Sequence, residues 1–287
     1  MLRRLQTPEF EVRPLSDKMA AEVTGLDLCQ ALDSETQRDV YDAFLKHQLL
    51  VFRDQDLDED QQVAFTGQFG TLERHTLRNR GSADHPFVHV VSNLDEKGMP
   101  NGKVASTLWH SDKSFREAPS SASILHAKRL PPNGGDTVFA NLYLAYDALT
   151  DDQKEELGEV MVVHSYELSR EHAGRKISAE EIADAPANAH PLVRVHPDTG
   201  RKTLFLGMHA SHFEGAEAGE AFRDSRSKIE ALEYFSTQSE FTYHHSWREG
   251  DLLMWDNRCL IHRLDPNFDA DEHPRIMHRT CLRGTPT

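Results

Sequence analysis

The chain has only three cysteines, Cys29, Cys259 and Cys281, an odd number with no CxxC spacing. That excludes a zinc knuckle and supplies no disulfide frame, so the thiols are expected to stay reduced, as in the cytoplasm. No apolar run reaches the roughly 18 residues that a membrane-spanning helix needs, so none is expected. The opening MLRRLQTPEFEVRPL has two arginines but neither the apolar core nor the cleavage site of a secretory leader, and none is expected. Internal repeats, low-complexity tracts and long Gly/Ser linkers are missing as well. One domain over residues 1–287 is the simplest organisation. Positive charge is scarce: 32 Lys+Arg stand against 47 Asp+Glu, a formal net charge of −15. A field of that sign disfavours nucleic acid and anionic membrane surfaces as partners. If the ligand is a small anion, a few local arginines must capture it against that background.

What is present is a succession of short apolar runs broken by turn residues. HQLLVFR, FVHVVSN, SASILHAKRL, DTVFAN, PLVRVHP, TLFLG, EFTYHHSW and DLLMWDN are each bounded by Gly, Pro, Asn or Asp, as strands are. Helices are fewer. Ser34 with Gln37 resembles a capping box ahead of Val40, Tyr41, Phe44 and Leu45 at helical spacing. Asp58 with Gln61 repeats the device, with Gly70 as its expected C-terminal cap. A third helix is expected between Thr150 and Gly158, and a fourth over residues 216–236, with Ala221, Phe222, Ile229, Leu232 and Phe235 on its apolar face. The pattern predicts a mainly β protein, a β-sandwich or jelly roll with flanking helices. Residues 165–190 lack a steady period and read as a long structureless excursion, a mobile insertion or lid.

Seventeen histidines make any single one weak, so only sets of ligands count. In TLWHSDKSF, read as a strand, His110 and Asp112 share a face while Trp109 and Ser111 point away. Alone, the pair is more readily a structural hydrogen bond than a site. A second histidine would complete a two-histidine, one-carboxylate triad of the kind that binds non-haem Fe(II) and leaves positions open. His262, on the run after GDLLMWDN, is the candidate. Arg275 and Arg279 lie four apart, so on a strand both face inward without a nearby acid, and need an anion. A surface ion pair of Arg275 with Asp271 or Glu272 is the alternative. His209 and His212 lie near a glycine turn, and one of them could line a pocket. His244 and His245 alternate across a strand and cannot share one ion. Trp109, Trp247 and Trp255 are read as core aromatics.

Four motifs in order make the chain similar to a known family. They are W-H-x-D at residues 109–112, G-G-D-T at 134–137, W-D-N-R-x-x-x-H at 255–262 and R-x-x-x-R at Arg275 and Arg279. Together they resemble the taurine dioxygenase / 2,4-dichlorophenoxyacetate dioxygenase family of Fe(II)- and 2-oxoglutarate-dependent oxygenases, from about Thr24 to the C-terminus. The look is closest to the phenoxyacetate branch. The resemblance implies a double-stranded β-helix (jelly-roll) core with His110, Asp112 and His262 on Fe(II). It implies Thr137 and Arg275 on the distal carboxylate of 2-oxoglutarate, and Arg279 facing the substrate's anionic group. Arg78 and His75 fall near substrate-binding positions of relatives. O₂ and 2-oxoglutarate would be consumed, a substrate C–H hydroxylated, and an aryloxyalkanoate cleaved at its ether. Taurine, alkyl sulfonates and alkyl sulfates are the alternative anions, and a non-catalytic cupin-like sensor is the rival of another class. Dimers or tetramers are common among such relatives, and a homo-oligomer is expected.

Overall fold

The computed structural model describes residues 10–74, 85–172 and 174–286. In chain order the elements are β1 (Glu11–Pro14), β2 (Ala21–Thr24), α1 (Ser34–His47), β3 (Leu49–Phe52), α2 (Glu59–Gly67), β4 (His89–Ser92), β5 (Ser120–Arg129) and β6 (Thr137–Asn141). They continue with α3 (Leu142–Asp147), α4 (Asp151–Leu157), β7 (Met161–His164), α5 (Tyr166–His172), α6 (Ala179–Asp184), β8 (Asn188–Pro191) and β9 (Val193–Val195). The last are β10 (Lys202–Leu204), β11 (Ala210–Phe213), α7 (Gly219–Ser236), β12 (Thr242–His245), β13 (Leu252–Asp256), β14 (Leu260–Leu264) and β15 (Ile276–Arg283).

A seven-stranded sheet runs β1-β2-β3-β13-β5-β15-β4, and a three-stranded sheet runs β12-β6-β14. Smaller sheets β11-β7-β8 and β10-β9 complete the β structure described. Side chains alternate across a strand, and the unbroken apolar runs LLVF and LLMW mark strands covered on both faces. Leu50, Phe52, Leu252 and Met254 pack with Val40 and Phe44 of α1 and Phe65 of α2. Their neighbours Leu49, Val51, Leu253 and Trp255 turn the other way, against Phe139 of β6 and Leu260 of β14. The same alternation sends Ser123 and Leu125 of β5, and Met277, Arg279 and Cys281 of β15, into that interior. Ser123 stands opposite Cys281 in the ladder, and Trp255 stands opposite Ser123. Beyond the three-stranded sheet, Ala140 and Ile261 pack with Leu142 and Ala145 of α3 and Ile229 of α7.

Local signals hold with instructive exceptions. Capping boxes close the N-termini of α2 at Asp58 and Gln61 and of α4 at Thr150 and Gln153. The cap of α1 is Asp33, not Ser34, because its carboxylate accepts from the backbone N–H of both Glu35 and Thr36. Gly70 does not cap α2, which ends at Gly67 with Gln68 in right-handed geometry. Asn141 ends β6 and caps α3 in one step, accepting from the N–H of Tyr143 and Leu144. Residues 165–190 are not the structureless excursion expected: they carry α5, α6 and the start of β8. Ser178 and Glu181 form a capping box for α6, a signal too local to show as a period. No helix among the described residues is long and apolar enough to cross a membrane.

Candidate active site

His262 lies on β14 at the same parity as Leu260 and so faces the interior, its ring against Trp255 (centroids 4.7 Å) and Phe139 (5.9 Å). His110 meets it across an isolated antiparallel bridge: His110 N–H donates to His262 O (3.0 Å) and His262 N–H to His110 O (2.8 Å). TLWHSDKSF is therefore not a strand. It makes one bridge at His110 and turns at Asp112, so the turn, not strand alternation, brings the carboxylate round. The backbone at Gly207 presses on this bridge, with φ +119°, and a Cβ there would stand 3.0 Å from His110 Cα. The two imidazole centroids are 4.2 Å apart. One ligand atom from each of His110, Asp112 and His262 lies within 4.8 Å of the others, and all three residues are buried.

The electrostatics suit a divalent cation. Burial lowers the pKa of His110 and pushes that of His262 well down, so both rings are neutral at pH 7 and offer a lone pair. His110 Nδ1 lies 2.8 Å from the Leu108 carbonyl, which can only accept, and this leaves Nε2 as the donor to a metal. Burial alone would raise Asp112. The Arg279 guanidinium, both imidazoles and the Ser123 hydroxyl outweigh it and hold the carboxyl well below the usual carboxylate range. Arg279 Nη1 donates to Asp112 Oδ1 (2.5 Å) and Nη2 to His89 Nδ1 (2.9 Å). Ser123 Oγ donates to Asp112 Oδ2 (2.5 Å) and accepts from Asn257 Nδ2 (2.9 Å). Asn257 Oδ1 accepts from Trp255 Nε1 (3.0 Å), so a relay runs from a core tryptophan to the carboxylate. His262 Nδ1 and Arg279 Nε are buried with no hydrogen-bond partner among the described residues. Two neutral imidazoles and one ionised carboxylate, each offering a ligand atom within 4.8 Å of the others, fit a bound Fe(II).

Arg275 precedes β15 and is 6% exposed. Its Nε donates to Gly135 O (3.1 Å), its guanidinium carbon lies 6.0 Å from the Trp247 ring centroid, and burial brings its pKa down to about 10. Trp247 Nε1 donates to Thr137 Oγ1 (2.9 Å). Gly134 holds φ +76°, and a Cβ there would stand 2.2 Å from Asn267 O, so the G-G turn can be made only without a side chain. Thr137, Trp247 and Arg275 are thus gathered into one group. Trp247 belongs to this group rather than to the core alone.

A cavity of about 830 Å³ opens in front, lined by His110, Asp112 and Arg279 among others. His209 of the glycine-turn pair lines it; His212 does not. His245 is buried against Asp251 (3.2 Å) while its neighbour His244 is exposed, as alternation requires. Arg78 and His75 lie outside the described residues. Sequence reasoning missed Ser123 and Asn257. Asn257 sat inside the W-D-N-R motif, and Ser123 was a small polar residue at inward parity in an apolar run; each could have been flagged on that ground.

The family model for the taurine catabolism dioxygenase TauD, TfdA family matches residues 11–281. The alpha-ketoglutarate-dependent 2,4-dichlorophenoxyacetate dioxygenase of Burkholderia sp. (strain RASC) is 39% identical over 273 residues, 91% of this chain and 90% of that protein. The (S)-phenoxypropionate/alpha-ketoglutarate-dioxygenase of Sphingobium herbicidovorans is 34% identical over 287 residues, 98% of this chain and 97% of that one. Among solved structures, AAD-2 in complex with Mn(II) and N-oxalylglycine superposes with a TM-score of 0.85 at 36% identity, covering 96% of this chain and 98% of that one. A match of that extent, over a fold that brings His110, Asp112 and His262 together, leaves one assignment: the chain belongs to the TauD, TfdA family of 2-oxoglutarate-dependent dioxygenases, which depend on Fe(II).

Proposed function

We propose that the protein oxidises an aryloxyalkanoate at the carbon between ether oxygen and carboxylate, with His110, Asp112 and His262 as the iron ligands. The observation that carries this reading is the buried triad at the inner end of a cavity large enough for a substituted aromatic acid. Fe(II), 2-oxoglutarate and O₂ together supply a two-electron oxidation that places one oxygen atom in a C–H bond, the other going to succinate as CO₂ leaves. The hydroxylated carbon is then a hemiacetal, which collapses to a phenol and a 2-oxo acid.

This chain's residues do the positioning. Arg275, buried and restrained by Gly135 and Trp247, is proposed to take the distal carboxylate of 2-oxoglutarate with Thr137, since a guanidinium's fork matches a carboxylate. Arg279 holds Asp112 and borders the cavity, and is proposed to face the substrate's anionic end. The seven-stranded and three-stranded sheets, sharing one interior, are read as a double-stranded β-helix within a single domain, with residues 165–190 as its lid. Three free cysteines suit a cytoplasmic protein. The names of the relatives at 39% and 34% identity support the substrate class.

The test is product stoichiometry. Fe(II), 2-oxoglutarate and phenoxyacetate in air are expected to give phenol and succinate in equal amounts. Succinate coupled to taurine or an alkyl sulfate, with no phenol from phenoxyacetate, would overturn the substrate assignment.

A further inference from the structure

The turn ahead of β6 is made of the residue type least able to hold a shape by itself. Gly134 and Gly135 both sit in the left-handed region, φ +76° and +72°, and glycine has more backbone freedom than any other residue. What holds them comes from residues 265–267. Asn267 Oδ1 accepts from Gly135 N–H (2.8 Å), and its Nδ2 donates to Asp136 Oδ2 (3.1 Å). Asp265 N–H adds a bond to Asp136 O (2.8 Å). Held this way, Gly135 O accepts from Arg275 Nε (3.1 Å), and a Cβ on Gly135 would stand 3.2 Å from that nitrogen. The turn therefore lies directly on the arginine. Asn267 is exposed and Arg275 is buried, so a surface amide reaches an interior guanidinium through one peptide unit.

We infer that Asn267 is a positioning residue for Arg275: by clamping the Gly134–Gly135 turn, it aims the guanidinium at the distal carboxylate of 2-oxoglutarate. This rests on the role proposed above for Arg275 and deepens it by naming what fixes that side chain's direction.

The first argument is the shape of the group. A guanidinium is planar, so a bond at Nε sets the plane in which both Nη atoms donate. A fork set in advance loses less rotamer freedom when the carboxylate arrives, and binding is tighter for it. The second is that the backbone of Arg275 is pinned separately. Its N–H donates to Asn93 Oδ1 (2.8 Å), and Asn93 Nδ2 donates to Ala270 O (2.8 Å) and His273 O (2.9 Å). Loss of the Asn267 side chain would leave Arg275 in place and free only its direction. The third is that Thr137 does not depend on Asn267. It is paired in the sheet with His245 of β12 and Leu264 of β14, and its Oγ1 accepts from Trp247 Nε1. The effect of Asn267 should therefore run through Arg275 alone.

The test titrates 2-oxoglutarate into the Fe(II)-loaded protein without oxygen, following the charge-transfer band. Wild type, Asn267→Ala, Arg275→Gln and the double variant are compared. Asn267→Ala is expected to raise Kd for 2-oxoglutarate about 3- to 10-fold, the worth of one hydrogen bond. Its iron affinity by competition titration should stay within about twofold of wild type, since the ligands are untouched. Arg275→Gln is expected to raise the same Kd more, on the order of 100-fold. Asn267→Ala should then add almost nothing to Arg275→Gln, because the nitrogen it acts through is gone. Arg275→Lys also lacks that nitrogen and gives the same cycle if the glutamine variant does not fold. A wild-type Kd in Asn267→Ala, or a rise that persists undiminished beside the Arg275 substitution, would overturn the inference and leave the role of Arg275 intact. An equal loss of iron affinity would also overturn it, since a general loosening touches both sites. Unchanged 2-oxoglutarate binding in Arg275→Gln would overturn both the role of Arg275 and the inference.

Discussion

Two buried aspartates in this protein look alike and do different work. Asp112 and Asp256 are 4% and 1% exposed, each is ionised, and each touches an arginine and belongs to a histidine cluster. Around Asp256 every acceptor is used. Oδ1 accepts from Arg258 N–H (2.9 Å) and Nε (2.8 Å), Oδ2 from Arg258 Nη2 (2.7 Å) and His196 Nε2 (3.0 Å). His196 Nδ1 in turn accepts from the N–H of Asp198 and Thr199 (3.2 Å each). Asp198 also meets Arg258 and accepts from Tyr41, so the network ties the end of β13 to the β9–β10 turn and to α1. Around Asp112, Arg279 Nε and His262 Nδ1 are buried without hydrogen-bond partners among the described residues, and a cavity opens in front. Burial and charge pairing do not separate a strut from a site. Unmet polar atoms beside open volume do.

That contrast can be broken experimentally, beginning with the largest effect. His262→Ala is expected to cut succinate formation below about one-thousandth of wild type by removing an iron ligand, with a thermal midpoint close to wild type by calorimetry. An equal loss in a variant far from the triad would count against the assignment. Asp256→Asn should do the reverse, destabilising the fold by about 3 to 5 kcal/mol in urea denaturation because Arg258 and His196 lose a buried anion. Iron affinity per folded molecule should stay near wild type. Ser123→Ala falls between them. It leaves the ligands in place but frees Asp112 Oδ2 and the Asn257 amide, and iron affinity is expected to drop about 10- to 100-fold by competition titration.

The smallest effect is the pH profile of the strut. Burial would raise the Asp256 pKa, but Arg258 and His196 hold it down to about 2, from an ordinary value of 3.8. A depressed carboxylate contributes its stability above the ordinary value and loses it as pH falls through the folded value. The stability gap between wild type and Asp256→Asn should therefore narrow by roughly 2 kcal/mol between about pH 5 and pH 2. A gap that stays constant over that window would mean the charge contributes nothing.

The site was more legible than the fold's finer detail, for physical reasons. Ligand types at motif spacing announce themselves: His110, Asp112 and His262 come together, and Arg275 reaches Gly135 and Trp247. Strand runs such as LLVF and LLMW were legible because two buried faces demand unbroken apolar residues. The geometry of TLWHSDKSF was not, since a single bridge and a turn have no period to read. Ser34 and Asp33 are adjacent residues of equal capping chemistry, and the sequence does not say that Asp33 takes the extended conformation and the helix begins at Ser34. The Arg279–Asp112 pair spans 167 positions, and no local pattern encodes a contact of that range.

The central claim, that the His110–Asp112–His262 cluster is the iron site and the Asp256 cluster is a strut, meets its most direct test without oxygen. Fe(II) and 2-oxoglutarate are added anaerobically, and the visible metal-to-ligand charge-transfer band is recorded for wild type, His262→Ala and Asp256→Asn. The account predicts the band in wild type and Asp256→Asn and its loss in His262→Ala. A band that survives His262→Ala, or that disappears only in folded Asp256→Asn, would contradict it.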